Sequence, residues 1–305
     1  MIRFTSEGGE IVCVAELKDR FGVYLDNDSL IELASGTGSR RQRFVDALRR
    51  GATLLFSLAN AVEVAGPQGA SASAVRAFLD SVGPHWVPLE LNPWTVVARE
   101  GAGLIERAAV SESFMEAYFQ RRIYDLSLGG SKVLDLSAET FFCLGEVLVW
   151  AHEDRDRIRK DAVKLDQALR DRLKESRTEY DKDPTSLDRS LPPIAFDNRH
   201  PATFVLTHLL RMLVVEAKAF QLRNNDALDF CHAVLAAGYG SVATLDRQWR
   251  RRVENLPMPN HLAKVFYRPQ VDQLVDVLES LVASRSAQSD SGGQQPLQPT
   301  GDCRK

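Results

Sequence analysis

The stretch Asn225–Asp246, N-D-A-L-D-F-C-H-A-V-L-A-A-G-Y-G-S-V-A-T-L-D, decides how the rest of the chain is read. Two carboxylates, Asp226 and Asp229, open it. An apolar helix is predicted over Phe230 to Ala237, a turn at Gly238 and Gly240, and a strand over Val242 to Leu245. Asp246 follows directly. In an open α/β sheet, ligand sites gather outside the carboxyl ends of the strands, so an acid at this position stands where chemistry is expected. The same shape occurs near the N-terminus, where Val23-Tyr24-Leu25 is followed by Asp26. Two strands that deliver acids to one edge predict a metal site.

Outward from these two strands, the N-terminal part reads as a further α/β unit. One short apolar run, Ile11 to Ala15, has no assigned place. After Asp26-Asn27-Asp28, Ser29 is the expected N-cap of a short helix, Leu30 to Ala34. A second helix, 41–50, ends at Gly51 and leads into a strand, Thr53 to Phe56; this crossover is long enough for parallel pairing. Glu63 falls in the first turns of the next helix, close to the edge where Asp26 emerges. A helix over 72–82 and the segment His85-Trp86-Val87-Pro88-Leu89 complete another unit, whose prolines confine that strand to an edge.

From about 91 to 200 the pattern turns helical, with apolar spacings of three and four over 95–109, 113–125 and 138–150. A polar helix over 152–180 follows, with ten acidic and ten basic residues between Glu153 and Asp183 and a narrow stripe of Ile158, Leu165, Leu169 and Leu173. This region reads as a helical insertion, a lid or an oligomer contact, and its narrow stripe is compatible with a homodimer. The α/β pattern resumes after Pro201 with a long helix over 202–222. A basic helix after Asp246, a strand over 264–267 and a helix over 269–283 finish it, with Pro269 suited to the first turn. The resulting division is 1–90 and 201–283 as two halves of one domain, 91–200 as an insertion, and 284–305, rich in Ser, Gly, Gln and Pro, as a disordered tail.

Composition narrows the class. The chain has 305 residues, is 44% hydrophobic and carries a formal charge of −3, so it can bury a large core and has no global basic field; any nucleic-acid contact must come from a local patch. Cys13, Cys143, Cys231 and Cys303 match no zinc or disulfide spacing, as expected of reduced thiols. Neither a secretory leader nor a run of 18 apolar residues occurs, which gives the expectation of a soluble cytoplasmic protein without a membrane partner.

These acids, in this order, resemble the pattern of the PIN-domain nucleases. The matching positions are Asp26 in Leu25-Asp26-Asn27-Asp28, Glu63 in Ala61-Val62-Glu63, Asp229 opening its helix, and Asp246 in Thr244-Leu245-Asp246. The resemblance covers residues 22–90 and 202–282. It implies a three-layer α/β/α fold around a mainly parallel central sheet, with a large helical insertion, and a metal-dependent nuclease that cleaves single-stranded RNA ahead of DNA. Three departures stand out: Asp28 adds charge where the family often has Asn, Asp226 precedes Asp229 so the third acid is ambiguous, and the insertion is larger than a minimal member carries. Toxin, defence and processing roles all remain open under the resemblance; a toxin would have a cognate antitoxin or a defence-system partner.

Physical chemistry leads the same way. Carboxylates drawn together repel one another and take up protons unless a cation offsets their charge. Mg²⁺ or Mn²⁺ suits hard oxygen ligands and accepts phosphate oxygens. Two such ions roughly 3.5–4 Å apart stabilise the attacking and leaving oxygens of a phosphodiester displacement. Asp26 and Asp246 are the expected central ligands, Glu63 and Asp229 complete the set, and Asp226 or Asp28 assists. Against this stands a plain alternative: Asp26, Asp229 and Asp246 each cap a helix, and Glu63 is a solvated surface residue.

The same weighing applies elsewhere. His232 lies one turn from Asp229 as a packed group or a site residue. Arg247, Arg250, Arg251 and Arg252 with Trp249 offer cations and a stacking ring for nucleic acid, or a solvated basic face. Arg40, Arg41, Arg43, Arg49 and Arg50 form a second candidate patch. D-x-D after a strand also occurs in haloacid-dehalogenase-like phosphatases, but Leu30 stands where their Thr is expected. A PIN-like module that binds without cleaving is the alternative from another class.

Overall fold

The computed structural model describes residues 2–7, 10–15, 21–36, 38–65, 70–104, 109–117, 120, 144–216 and 226–291. A five-stranded, all-parallel sheet lies at its centre, in the order β5-β4-β3-β6-β7. Its strands are β3 (Phe21–Tyr24), β4 (Ala52–Ser57), β5 (Trp86–Leu89), β6 (Val242–Thr244) and β7 (Lys264–Phe266). Helices cover both faces, giving the three-layer α/β arrangement that the alternation of strands and helices predicts. The apolar run at 11–15 finds its place outside this sheet: β2 (Glu10–Ala15) pairs antiparallel with β1 (Ile2–Glu7) as a hairpin.

The two halves of the chain meet in the middle of the sheet. β3 pairs with β4 on one side and with β6 on the other, Tyr24 opposite Leu55 and Ala243. All six residues of β4 are buried, as a central parallel strand requires. β5 is an edge strand; Pro88, which has no N–H to give, sits there opposite Phe56.

On one face lie α1 (Asn27–Ser35), α2 (Gly38–Arg50), α4 (Ala70–Val82) and the final helix, here α12 (Val271–Ser291). The last of these continues eight residues past the predicted end at 283, into the segment expected to be disordered. Here four of the five arginines of the second patch, all but Arg41, are taken up by ion pairs. Arg40 pairs with Glu32 and Asp272, Arg43 with Asp276 and Glu279, and Arg50 with Glu279, so these three cations bind α1, α2 and α12 together, while Arg49 pairs with Asp46 within α2.

On the other face lie α5 (Pro93–Gly101), α9 (Pro201–Val215) and α10 (Asp226–Tyr239), with α3 (Leu58–Ala65), α6 (Leu144–Glu153) and the long polar α7 (Arg155–Lys182) at the carboxyl edge. A short helix, α8 (Ser186–Ser190), follows α7, and α11 (Arg247–Glu254) follows β6. The predicted helix at 95–109 stops at Gly101, and of that at 113–125 residues 113–117 and 120 are helical, the others lying outside the described residues. Parts of the predicted helices at 138–150 and 202–222 lie outside the described residues, as do Cys143, Cys303 and residues 292–305. Gly238 stays within α10, where a side chain would crowd the backbone of Pro201 and Ala202 at the start of α9; Gly240 ends the helix, and a Cβ there would meet the Ala236 carbonyl at 2.5 Å. None of the helices among the described residues is long and apolar enough to cross a membrane.

One buried carboxylate binds the insertion to this face. Glu100, 1% exposed, accepts from the backbone N–H groups of Ala202 and Thr203 at 2.8 Å each, from the Thr203 hydroxyl at 2.5 Å and from the Tyr239 hydroxyl at 2.5 Å. It thus caps α9 from a distant segment and holds the end of α10, the helix that carries Asp229. Removing it strands several buried donors. Glu100→Ala is expected to lower the unfolding free energy by about 2–4 kcal/mol, and Glu100→Gln by less, as read from urea denaturation.

Candidate active site

The local fold at the end of β3 is repeated at the end of β6. Each strand passes through one residue, Leu25 or Leu245, to an aspartate that caps the next helix. Asp26, and not the expected Ser29, is the N-cap of α1: its Oδ1 accepts the Ser29 N–H at 2.9 Å. Oδ1 of Asp246 accepts the N–H groups of Gln248 and Trp249, each at 2.9 Å. Thr244 joins the two turns. Its hydroxyl accepts the Asp26 N–H at 2.9 Å and donates to Asp26 Oδ1 at 3.1 Å. Capping therefore occupies one oxygen of each aspartate, and among the described residues no donor reaches Oδ2 of either. The plain capping role and a site role do not exclude each other.

These turns form one wall of a pocket of about 430 Å³ at the carboxyl edge of the sheet. Asp26, Asp28, Glu63, Asp229 and Asp246 all line it, and no Lys or Arg among the described residues does. The acids come from three separate parts of the chain. No described donor reaches Glu63 or Asp229. The expected consequence of this crowding is visible in their protonation. Restricted hydration, more than any single neighbour, raises the pKa of Asp26, with Asp28 adding to it. Glu63 is raised for the same reason, although its side chain opens to solvent, and then by the charges of Asp26 and Asp28. Asp229 is pushed up to about 7, first by burial and then by Asp246, Glu63, Asp226 and Asp26.

Asp226 stands apart from this group. It is buried, does not line the pocket, and accepts from Gln248 Nε2 at 3.2 Å, with its charge felt by Arg170. Of the two acids at the start of α10, Asp229 is the one that faces the others.

Beneath the acids lies a buried polar network. The side-chain oxygen of Asn60 accepts the Ser57 N–H at 3.1 Å and the Ser57 hydroxyl at 2.9 Å, while its nitrogen donates to Tyr24 Oη and Asn27 Oδ1, each at 3.2 Å. The Ser57 hydroxyl proton is committed to Asn60, so His232 Nε2, 2.9 Å from Ser57 Oγ, carries the proton that joins them. Burial holds His232 at a pKa of about 4, so it is a neutral imidazole, packed 5.3 Å from the Tyr24 ring. The phenol of Tyr24 feels Asp26, Glu63 and Asp229 and keeps its proton well above its usual range, mainly through burial. Tyr24, Ser57 and Asn60 carry no sequence signal; each sits inside an apolar run.

The basic helix is corrected in part. Trp249 is 1% exposed and packs edge-on to Phe230 at 5.6 Å; its ring is core, not a stacking platform for bases. Arg250 is held by Glu254 and Gln270 and stacks on Tyr267. Arg252 pairs with Glu216 at 2.9 Å and covers Trp249. Arg247 and Arg251 are exposed on the helix that Asp246 caps.

The donor set suits a hard divalent cation: several carboxylates, of which Asp26 and Asp229 are partly shielded from water, mutually repelling and without a Lys or Arg among the described residues of the pocket lining to balance them. Their present placement is looser than a closed site, since among the described residues no group of three or more His, Cys, Asp or Glu side chains is arranged to hold a metal ion. Comparison with protein-family models, with curated proteins and with solved structures gives no match.

The raised pKa of Asp229 fixes a pH dependence. Between the ordinary carboxylate value of 3.8 and about 7, the folded protein holds a proton that the unfolded chain releases, so without added cation stability falls as pH rises through that window and levels off above it. Asp229→Asn is expected to flatten this part of the profile and, at pH 8, to stabilise the cation-free protein by about 1–3 kcal/mol, as read from chemical denaturation across pH 4–8. A fall of the same size in the variant would show that other groups carry it.

Proposed function

We propose that the protein is a divalent-cation-dependent nuclease that hydrolyses phosphodiester bonds of single-stranded nucleic acid, RNA ahead of DNA. The observation that carries this reading is the convergence of Asp26, Glu63, Asp229 and Asp246 on one pocket at the carboxyl edge of a parallel sheet, with no balancing protein cation. Those four would hold Mg²⁺ or Mn²⁺, which when bound would offset charge on the phosphate and favour ionisation of a water. Asp28 lies beside them and would orient water at the site; Asp226, bonded to Gln248, is left a positioning role through α10 and α11.

The chain's own groups prepare the site. Helix capping fixes Asp26 and Asp246 so that one oxygen of each stays available, and Thr244 sets their spacing. The network of Ser57, Asn60 and His232 holds Tyr24 beneath the acids, where its hydroxyl proton remains available to donate. Arg247 and Arg251, exposed on the helix that Asp246 caps, would attract the phosphate backbone. The family resemblance supports the same reading.

A second reading, a PIN-like module that binds nucleic acid or protein without cleaving it, is favoured by one observation: among the described residues no three acids are arranged to grip an ion. Purified protein incubated with single-stranded RNA and DNA in Mg²⁺, Mn²⁺ or EDTA separates the two. Cleavage is expected with either metal and not with EDTA, and Asp26→Asn is expected to slow it roughly 100-fold or more. Cleavage insensitive to both EDTA and the substitution contradicts the mechanism, and binding without cleavage favours the module.

A further inference from the structure

A trough leads away from the acid pocket along α7. Glu63 is a wall of both the acid pocket and a neighbouring groove of about 590 Å³. The groove in turn shares Leu91, Ile158 and Ala162 with a third hollow of about 410 Å³. Its sides are aliphatic: Val62, Leu91 and Leu228 face Ala162 and Val163. Val163 is 67% exposed, a large apolar side chain left open to water on a helix that is otherwise strongly polar. Asp166 in the groove is neutralised by Arg170 at 2.6 Å. Arg159 also lines it, is exposed, and has no ion pair among the described residues. A cation with no ion pair among the described residues thus stands on the groove adjoining a pocket lined by five acids and by no described Lys or Arg.

We propose that this groove seats an unpaired nucleotide next to the phosphate held in the acid pocket, its base against the aliphatic walls and its own phosphate at Arg159. The inference rests on the nuclease reading and makes it more specific. A polyanion approaching five carboxylates needs positive charge nearby, and Arg159 supplies it on the adjoining groove. Apolar walls reward a base only when its faces are bare. In a duplex those faces are covered by stacked neighbours, so the groove selects single strands and unpaired loops. Three hollows that adjoin through shared walls offer an extended strand successive seats. Helix α7, part of the insertion, becomes the element that reads strandedness.

The test is equilibrium binding of a short fluorescent single-stranded RNA, with 2-aminopurine at its centre, to the full chain carrying Asp26→Asn so that the probe survives. Arg159→Glu and Val163→Asp are added singly; both positions are exposed, and an unchanged melting temperature confirms folding. Each is expected to weaken single-strand binding roughly 5- to 100-fold, to reduce the 2-aminopurine response, and to leave the already weak binding of the matching duplex unchanged. Parent binding that neither substitution alters overturns the groove while leaving the nuclease reading in place, provided the native chain cleaves the same RNA. Equal weakening for single strand and duplex also overturns it, because the effect is then one of charge alone. A native chain that neither binds nor cleaves the RNA overturns both.

Discussion

Parallel pairing of β3 with β6 joins segments more than 200 residues apart, and the Thr244 hydroxyl that bridges to Asp26, 218 residues away, marks the join. Closing so long a connection costs chain entropy, which the buried central strands and the helices on both faces must offset. Once the pairing forms, chain direction does the rest. Both strands point the same way, so both following turns emerge at one edge, and the acid beyond each strand arrives beside the other. Antiparallel pairing would have sent Asp26 and Asp246 to opposite ends of the sheet.

Repulsion among the acids is the counterpart of that geometry. Carboxylates crowded at one edge repel one another and destabilise the folded chain, and Asp229, pushed up to a pKa of about 7 by burial and by its acidic neighbours, keeps a proton that an ordinary aspartate would release. Stability that is surrendered here is supplied elsewhere. The buried sheet, Glu100 across α5, α9 and α10, and the ion pairs between α2 and α12 support a site that is not itself favourable. The insertion contributes to this support as well as to the groove, since α5 carries Glu100 and α7 forms one side of the trough.

What the sequence disclosed follows from the kinds of signal it carries. Asp26 and Asp246 were legible because a short apolar run that ends in an acid is a local pattern, and so was β5 at the edge, where Pro88 forbids a central position. The choice between cap and site residue was not legible, because it depends on which carboxylate oxygen is used. Trp249 was misjudged for a related reason: among arginines it reads as exposed, whereas its burial depends on Phe230 across a turn and a strand. Arg40 and Arg43 find acids more than 200 residues away on α12, which no local window contains. Tyr24, Ser57 and Asn60 were hidden within apolar segments, and only the fold reveals that their polar atoms satisfy one another. The hairpin of β1 and β2 stayed unassigned because its pairing is with itself and not with the sheet.

The central claim is that acids from three parts of the chain form a single pocket for a divalent cation. Anomalous diffraction from crystals soaked in Mn²⁺ tests it most directly. The account predicts a manganese peak among the carboxylates of Asp26, Glu63, Asp229 and Asp246, lost in the Asp229→Asn protein. A peak elsewhere, or well-occupied surface sites with none among those four side chains, would contradict it.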